Sequence, residues 1–280
     1  MSLSKTYLCS FASPDLFLSK IRFYYQSKKL RFYKNIKVYS KKELSSKTKL
    51  ILEKFFKSND RVGYGYWIWK PEIILNYIKQ IPNNGILHYC DIGCCFYPGK
   101  NNINKLYKYQ QIAEKKGFVA LSFSKPKLID PDLEYPIIYE YEHTKNDLAK
   151  YLDLKINSKE MNTPHICATN FFIKKNNKNI NFLKDWLNVC NNINLINNTK
   201  SILKNHKNFK VHRNDQSAFS LLCKIYKMNI LSVYDDFENA YKNNKIYWNH
   251  LQKSPIQHRR SLRYVSFYKL KNKILSIFRK

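Results

Sequence analysis

The chain has 280 residues, of which 44% are hydrophobic and 15% aromatic. A composition this apolar excludes a disordered chain, and the length suffices for one large domain with its own core. The formal net charge of +30 at pH 7 predicts attraction to anions such as nucleic acid, acidic lipid head groups or phosphorylated small molecules. We assign roughly half of this excess to the Lys- and Asn-rich composition bias, since Lys is the usual residue of solvated faces.

Strands and helices alternate along the first part of the chain. Residues 5–11 and 34–40 are predicted to be buried strands, with a helix over 15–29 between them and a second helix over 45–56. A third helix begins at Pro71, because the missing N–H of proline is tolerated in a first turn.

The alternation continues to about residue 226. Predicted strands cover residues 86–90, 118–123 and 165–173, and predicted helices cover residues 180–190 and a segment beginning at Asn214 or Asp215. Strands that alternate with helices in this way predict an α/β fold, with a mostly parallel central sheet flanked by helices on both faces. We predict one domain over residues 1–250 and a basic tail over residues 251–280.

The predicted tail is amphipathic. No acidic residue follows Glu238, and Phe267, Leu270, Ile274 and Phe278 recur at helical spacing among Lys and Arg residues. Such a segment is typical of a surface helix that binds an anionic membrane. The alternative is a terminal helix that packs on the domain with its lysines in water.

The seven cysteines show no C-x-x-C spacing, so neither a zinc site nor a disulfide framework is predicted. They are expected to be reduced core residues. The first residues lack the apolar stretch of a signal peptide, and no segment is apolar enough to span a bilayer. We therefore expect a cytoplasmic protein that is either soluble or peripheral on the inner face of the membrane.

The strand over residues 86–90 is followed by Asp91-Ile92-Gly93. Ligands of open α/β sheets bind beyond the carboxyl ends of strands, so Asp91 is expected to face a crevice. A carboxylate followed by a small residue such as Gly93 suits a divalent cation that bridges to a diphosphate. The alternative is an ordinary turn or helix-capping aspartate.

A second motif, His212-Arg213-Asn214-Asp215-Gln216-Ser217, stands at the start of an amphipathic helix. Free N–H groups and the helix dipole favour anions there. Asp215 or Asn214 can serve simply as the N-cap. The further polar residues Arg213 and Gln216 favour a turn that faces a ligand.

Two more segments carry residues suited to binding. In Gly63-Tyr64-Gly65-Tyr66-Trp67-Ile68-Trp69-Lys70-Pro71, aromatics such as Tyr66 and Trp67 can stack on a base or sugar, and Lys70 near a helix start can bind phosphate. Core packing is the alternative for the tryptophans. The strand over residues 165–173 has small residues before Asn170 that would let a ligand approach.

The order of these motifs resembles the GT-A glycosyltransferases, including the glycogenin and lipopolysaccharide galactosyltransferase group. It is also similar to bacterial glycosyltransferase-like proteins of capsule and lipopolysaccharide clusters, which carry a YGYWIWKP…YxDxG…HRxDQSxFS pattern. The resemblance covers roughly residues 64–226. It implies a single GT-A-like, Rossmann-type domain that transfers sugar from a nucleotide-diphosphate donor to a saccharide or lipid-linked acceptor in surface-polysaccharide biosynthesis.

The resemblance also implies roles for particular residues. Asp91 takes the place of the metal-binding D-x-D motif for Mn²⁺ or Mg²⁺, but Gly93 stands where the second Asp would be. Asp215 would act beside it as the carboxylate that activates the acceptor, and a late His258 could be a further metal ligand. The nucleotide sugar would be bound by Lys70, Tyr66, Trp67, Gly93, Arg213, Gln216 and Asn170.

Two other functions remain open from the sequence. The net charge and aromatic content would suit a nucleic-acid-binding protein, although no helix-turn-helix or RNP motif is present. The second possible function is that of an inactive, enzyme-like scaffold in a surface-polysaccharide assembly. We expect no nucleic acid partner.

Overall fold

The computed structural model describes residues 5–247, apart from 59, 61 and 98, together with residues 254–258. The strands are β1 (Thr6–Phe11), β2 (Asn35–Tyr39), β3 (Ile86–Cys90), β4 (Cys95–Phe96), β5 (Phe118–Ser122), β6 (Ile166–Lys174), β7 (Ile230–Ser232), β8 (Tyr241–Lys242), β9 (Lys245–Ile246) and β10 (Ile256–Gln257). The helices are α1 (Phe17–Lys29), α2 (Ser46–Lys57), α3 (Gly63–Tyr66), α4 (Trp69–Gln80), α5 (Lys100–Lys116), α6 (Glu140–His143), α7 (Asn146–Tyr151), α8 (Asn177–Asn191), α9 (Ile193–Ile196), α10 (Asn214–Ile225) and α11 (Val233–Asp236).

Six strands form the central sheet, in the order β2-β1-β3-β6-β5-β7. The pairs β1–β2, β1–β3 and β5–β7 are parallel, whereas β6 is antiparallel to both β3 and β5. Five strands therefore share one direction. The predicted α/β class and the mostly parallel, helix-flanked sheet are confirmed.

Two hydrophobic clusters cover the two faces of the sheet. One contains residues of α2, α4, α8 and α10, with Trp186 and Phe219 at its centre. The other contains residues of α1 and α5, including Phe23 and Leu106. Helices on both faces explain why β1, β3 and β5 are buried along their whole length.

One segment of the predicted tail is paired with the domain. Within the predicted tail, β10 pairs in an antiparallel manner with β4, so residues 254–258 lie against the segment that follows β3. The amphipathic residues of the predicted tail lie outside the described residues. Among the helices that are described, none combines the length and apolarity needed to cross a bilayer.

The short element α3 has a left-handed backbone, so it is a left-handed turn that precedes α4. Five consecutive residues have positive φ: Gly63 (53°), Tyr64 (54°), Gly65 (87°), Tyr66 (55°) and Trp67 (56°). Left-handed helical backbone costs L-residues about 1–2 kcal/mol each, so packing must hold the turn in place. The Tyr66 hydroxyl donates a 2.5 Å hydrogen bond to Asp60 Oδ2.

Glycine is required inside this turn for steric reasons as well. A Cβ on Gly65 would lie 2.3 Å from Leu52 Cδ2, and a Cβ on Gly63 would lie 2.2 Å from the Trp67 ring. The two glycines of the aromatic motif are therefore needed for the backbone conformation of this turn, from which the chain enters α4.

We predict that Gly65→Ala destabilises the protein by about 2 kcal/mol or more, because φ is positive and Leu52 must move. Thermal unfolding should show a fall in Tm of at least about 4 °C. Gly99→Ala is the matched control, since Gly99 has an extended φ of 176° and its added Cβ would meet nothing closer than 3.6 Å. Equal Tm values for the two variants would contradict the packing argument.

Candidate functional site

The topology of the sheet indicates where a ligand would bind. β1 pairs with β2 on one side and with β3 on the other, so the chain connections diverge between β1 and β3. Such a switch point leaves a crevice at the carboxyl ends of the strands. Asp91 directly follows β3 and therefore lies where such a crevice is expected.

A buried lysine joins the two aspartates singled out in the sequence. Lys70 Nζ lies 3.4 Å from Asp91 Oδ1 and 3.1 Å from Asp215 Oδ2. The side chains of Lys70 and Asp215 are 3% and 4% exposed, whereas that of Asp91 is 25% exposed. The expected meeting of Asp91 and Asp215 is thus present, with the ammonium between them, and Asp91 is the carboxylate that solvent reaches.

We call this cluster of Lys70, Asp91 and Asp215 the Lys70 clamp. Each of its members is positioned by its own element. Lys70 lies in the first turn of α4. The residue before it, Trp69, stacks on Phe11 at the end of β1, with ring centroids 3.9 Å apart. Asp215 lies in the first turn of α10, and Trp186 Nε1 of α8 donates to its carbonyl at 3.1 Å.

The start of α10 is strained and well anchored. Asn214 has a positive φ of 51° and is buried. Its Nδ2 donates to Ile196 O at 2.6 Å and to Asn198 Oδ1 at 2.9 Å. The Asn of the HRNDQS motif therefore fixes the turn that directs Asp215 towards Lys70, and it does not act as a simple N-cap.

The small residues of β6 let this cluster approach the sheet. Gln216 Oε1 accepts a 3.2 Å hydrogen bond from the Ala168 backbone N–H, and Lys70 Nζ lies 3.5 Å from Ala168 O. Both backbone groups of Ala168 are thus bound by residues of the two motifs. This contact places Gln216 on the strand backbone.

The charges of the clamp depend on one another. Burial alone would lower the pKa of Lys70, but Asp215 and Asp91 outweigh it and raise that pKa above its ordinary value. Burial outweighs the attraction of Lys70 and raises the pKa of Asp215 to about 6. With both carboxylates ionised the cluster has one net negative charge, and its exposed member is Asp91.

A tyrosine supports the exposed carboxylate. Tyr89 is fully buried in β3, and its hydroxyl donates to Asp91 Oδ1 at 2.5 Å. Burial and the Asp91 charge hold the pKa of Tyr89 well above its ordinary value, so it remains a donor. Tyr89 and Lys70 both bind the same oxygen of Asp91.

Other titratable groups share this end of the sheet. Burial, with the Glu238 and Asp91 charges, raises the pKa of Cys167 near the start of β6 to about 11. The Glu238 charge also acts on Arg213, whose guanidinium lies 5.2 Å from the centroid of the Phe123 ring. Burial lowers the pKa of Arg213. No salt bridge to Arg213 is present among the described residues.

The structure places three of the predicted binding residues as follows. Tyr66 is 4% exposed and its hydroxyl binds Asp60, so it packs in the core. Trp67 is partly buried beside Gly63. Asn170 Oδ1 lies 2.7 Å from His88 Nε2, within a buried pair on β6 and β3.

Gly93, predicted to bind the donor, and His258, predicted to bind a metal with Asp91, have the following positions. Gly93 lies in the turn after Asp91, in which Cys94 N donates to Asp91 O at 2.9 Å. His258 Nδ1 lies 3.4 Å from Glu238 Oε1, and its side chain is 48% exposed. Across the part of the chain that the structure describes, no group of three or more His, Cys, Asp or Glu residues could hold a metal. A cation at Asp91 would therefore need oxygens of the substrate as further ligands.

Sequence reasoning missed a second buried network beside α10. Glu140 is fully buried and interacts with His165 Nδ1 at 3.0 Å, with Lys224 Nζ at 2.5 Å and with the hydroxyls of Thr144 and Ser220. Burial alone would raise the pKa of Glu140, but His165 and Lys224 outweigh it and hold that pKa well below its ordinary value. No sequence motif marks Glu140, since its partners lie 4 to 84 positions away.

The comparisons with known proteins give a structural similarity only. No protein-family model matches the chain, and no curated protein sequence matches it. Among solved structures it is similar to mouse xyloside xylosyltransferase 1 in its apo form, with a TM-score of 0.42 and 8% sequence identity, over 90% of this chain and 97% of that one. At this level of similarity the function must rest on the site itself.

We predict that Lys70→Met costs about 3–5 kcal/mol in the free energy of unfolding, because it leaves the Asp215 carboxylate buried without its cation. The double variant Lys70→Met/Asp215→Asn should regain much of this loss. Urea unfolding measures the free energy of unfolding of both variants.

The matched control is Lys41→Met, which breaks the exposed 3.4 Å pair between Lys41 and Glu53 and should cost at most about 1 kcal/mol. If the losses of the two single variants, Lys70→Met and Asp215→Asn, simply add in the double variant, the ammonium does not hold Asp215 as the structure shows.

Proposed function

We propose that this protein is a glycosyltransferase that moves a sugar from a nucleotide-diphosphate donor to a saccharide or lipid-linked acceptor. One observation carries the proposal: the Lys70 clamp presents a supported, partly exposed carboxylate, Asp91, at the switch point of a mostly parallel sheet. Crevices at such points are where α/β proteins bind phosphorylated ligands. The motif resemblance points to nucleotide sugars within that class.

Asp91 is the residue proposed to contact the donor. Its Oδ1 is held by Lys70 and Tyr89, which fixes the carboxylate before a ligand arrives. Preorganised charges of this kind need no rearrangement during the reaction.

Asp215 is proposed to act mainly by holding Lys70. The sequence suggested that Asp215 activates the acceptor hydroxyl, and its raised pKa of about 6 would suit a base. Its 4% exposure and its contact with Lys70 favour a positioning role instead. Arg213, partly buried at the same end of the sheet, is the cation proposed to bind the leaving diphosphate.

A divalent ion, Mn²⁺ or Mg²⁺, is compatible with the residues present. Asp91 would hold it together with phosphate oxygens of the donor, since Mg²⁺ is commonly bound by one or two carboxylates plus substrate phosphates. His258, which faces Glu238, is not needed for this arrangement. Such an ion would neutralise charge that develops on the leaving diphosphate.

The acceptor and the place of action follow from the resemblance and the charge. We propose a bacterial surface polysaccharide, capsule or lipopolysaccharide, as the product class. Synthesis on the cytoplasmic face of the membrane is consistent with a net charge of +30, which would attract anionic lipid.

A thermal-shift panel of nucleoside diphosphates and nucleotide sugars, with and without Mn²⁺, tests the proposal. A ligand that binds only the native state raises Tm, by an amount set by its concentration relative to Kd. We expect at least one nucleotide sugar to raise Tm, and Asp91→Asn to abolish that shift and the transfer activity; because Asp91 also pairs with Lys70, the shift is measured against the variant's own Tm without ligand.

Asp132→Asn is the matched control, because Asp132 is an exposed aspartate of a loop. It should leave the ligand-induced shift unchanged. A flat panel for the unmodified protein would exclude donor binding, and salt-dependent binding of DNA or RNA in its place would favour the nucleic-acid alternative. Donor binding without transfer to any acceptor would favour an inactive scaffold.

A further inference from the structure

Helix α1 exposes its apolar side chains. Phe17, Ile21, Tyr24 and Tyr25 are 58%, 52%, 47% and 59% exposed. The buried positions of the same helix are Ser19, Phe23 and Ser27, of which two are serines. Amphipathic surface helices usually show the opposite arrangement, with the apolar face against the core.

The four exposed residues lie on one side of α1. Residues 21, 24 and 25 lie four, seven and eight positions after Phe17, so all four residues follow a single stripe of the helix. We call this stripe the α1 apolar face. Single exposed apolar residues are normal on protein surfaces, but a contiguous group indicates an interaction site.

The segment that contains the α1 apolar face is strongly basic, although Asp15 precedes it and Glu43 lies near Lys20. Residues 16–42 contain no Asp or Glu, and they contain nine cations: Lys20, Arg22, Lys28, Lys29, Arg31, Lys34, Lys37, Lys41 and Lys42. Lys28, Lys29 and Arg31 are exposed near the end of the helix. A partner for this surface must therefore be apolar in part and anionic in part.

We propose that α1 docks on an anionic lipid bilayer, with its axis along the interface and the α1 apolar face in the headgroup region. Apolar residues on one side of a helix, basic residues beside them and tyrosines suited to an interface are the features of helices that lie on membranes. The flanking lysines and arginines are attracted to the negative surface of the bilayer. This proposal is independent of the sugar-transfer function.

Docking would place the candidate site near the membrane. Arg22, on α1, donates to Ile92 O at 2.9 Å, to Cys94 O at 2.8 Å and to Cys95 Sγ at 2.8 Å. Gln26 Oε1 accepts from Phe96 N at 3.2 Å. Helix α1 is thus bound directly to the segment that follows Asp91, so the bilayer would lie beside the crevice.

Vesicle co-sedimentation of the full chain tests the proposal. One vesicle set contains phosphatidylcholine and phosphatidylglycerol in about equal parts, and the other contains phosphatidylcholine alone. We expect binding to the anionic vesicles that weakens as salt rises. Phe17→Ser/Ile21→Ser should lower the partition coefficient by about tenfold or more, and Lys28→Glu/Lys29→Glu by a similar factor.

Leu128→Ser/Ile202→Ser is the matched control, because these two apolar residues are 89% and 92% exposed but belong to loops far from α1 in the sequence. It should bind as the unmodified protein does. Tm is measured for every variant, and equal values show that the fold is retained. If Phe17→Ser/Ile21→Ser loses binding and also has a lower Tm, the Lys28→Glu/Lys29→Glu variant decides the question, because its substituted side chains are exposed and should not affect folding.

Three results would overturn the proposal. The first is binding that the α1 variants leave unchanged. The second is binding abolished only by Arg259→Gln/Arg260→Gln/Arg263→Gln, which would assign the membrane contact to the C-terminal segment. The third is a concentration-dependent dimer, seen by light scattering and removed by Phe17→Ser/Ile21→Ser, without binding to vesicles, which would make a second copy the partner.

Discussion

The arrangement of the candidate site depends on one buried ammonium group. Lys70 is 3% exposed, and it can remain charged there only because Asp91 and Asp215 lie within 3.4 Å. The two carboxylates come from the end of β3 and the start of α10, elements far apart in the chain. A single lysine on α4 therefore couples the central sheet to two helices of one face, and it leaves Asp91 as the member that a ligand can reach.

Backbone strain on both sides of the clamp is balanced by packing. The left-handed turn at residues 63–67 leads into α4, and Asn214, also with positive φ, begins α10. Each is held by specific contacts: Tyr66 with Asp60, and Asn214 with Ile196 and Asn198. Such strain persists only where the surroundings determine it, and it occurs often at functional sites. Here it sets the directions from which Lys70 and Asp215 approach each other.

The sequence predicted the sheet well and the roles of side chains less well. The predicted strands coincide with β1, β2, β3, β5 and β6 within about one residue. Four of them, β1, β3, β5 and β6, are buried along nearly their whole length and are therefore apolar runs that the sequence reveals. Helix α5 was missed because its buried face is narrow, and β7 because it has three residues. The sequence also indicated Asp91 and Asp215, but Lys70 was expected to bind phosphate. Its burial between the two aspartates, like the Glu140 network, depends on long-range packing that no local spacing reveals.

Nuclear magnetic resonance of the lysine ammonium groups tests the clamp most directly. In ¹⁵N-labelled protein, with the Lys70 signal assigned by its loss in Lys70→Met, we expect an ammonium that exchanges slowly with water and has a pKa above the ordinary lysine value. Asp91→Ala and Asp215→Asn should each lower that pKa. A Lys70 signal that exchanges and titrates like those of exposed lysines, and that neither substitution shifts, would contradict the clamp.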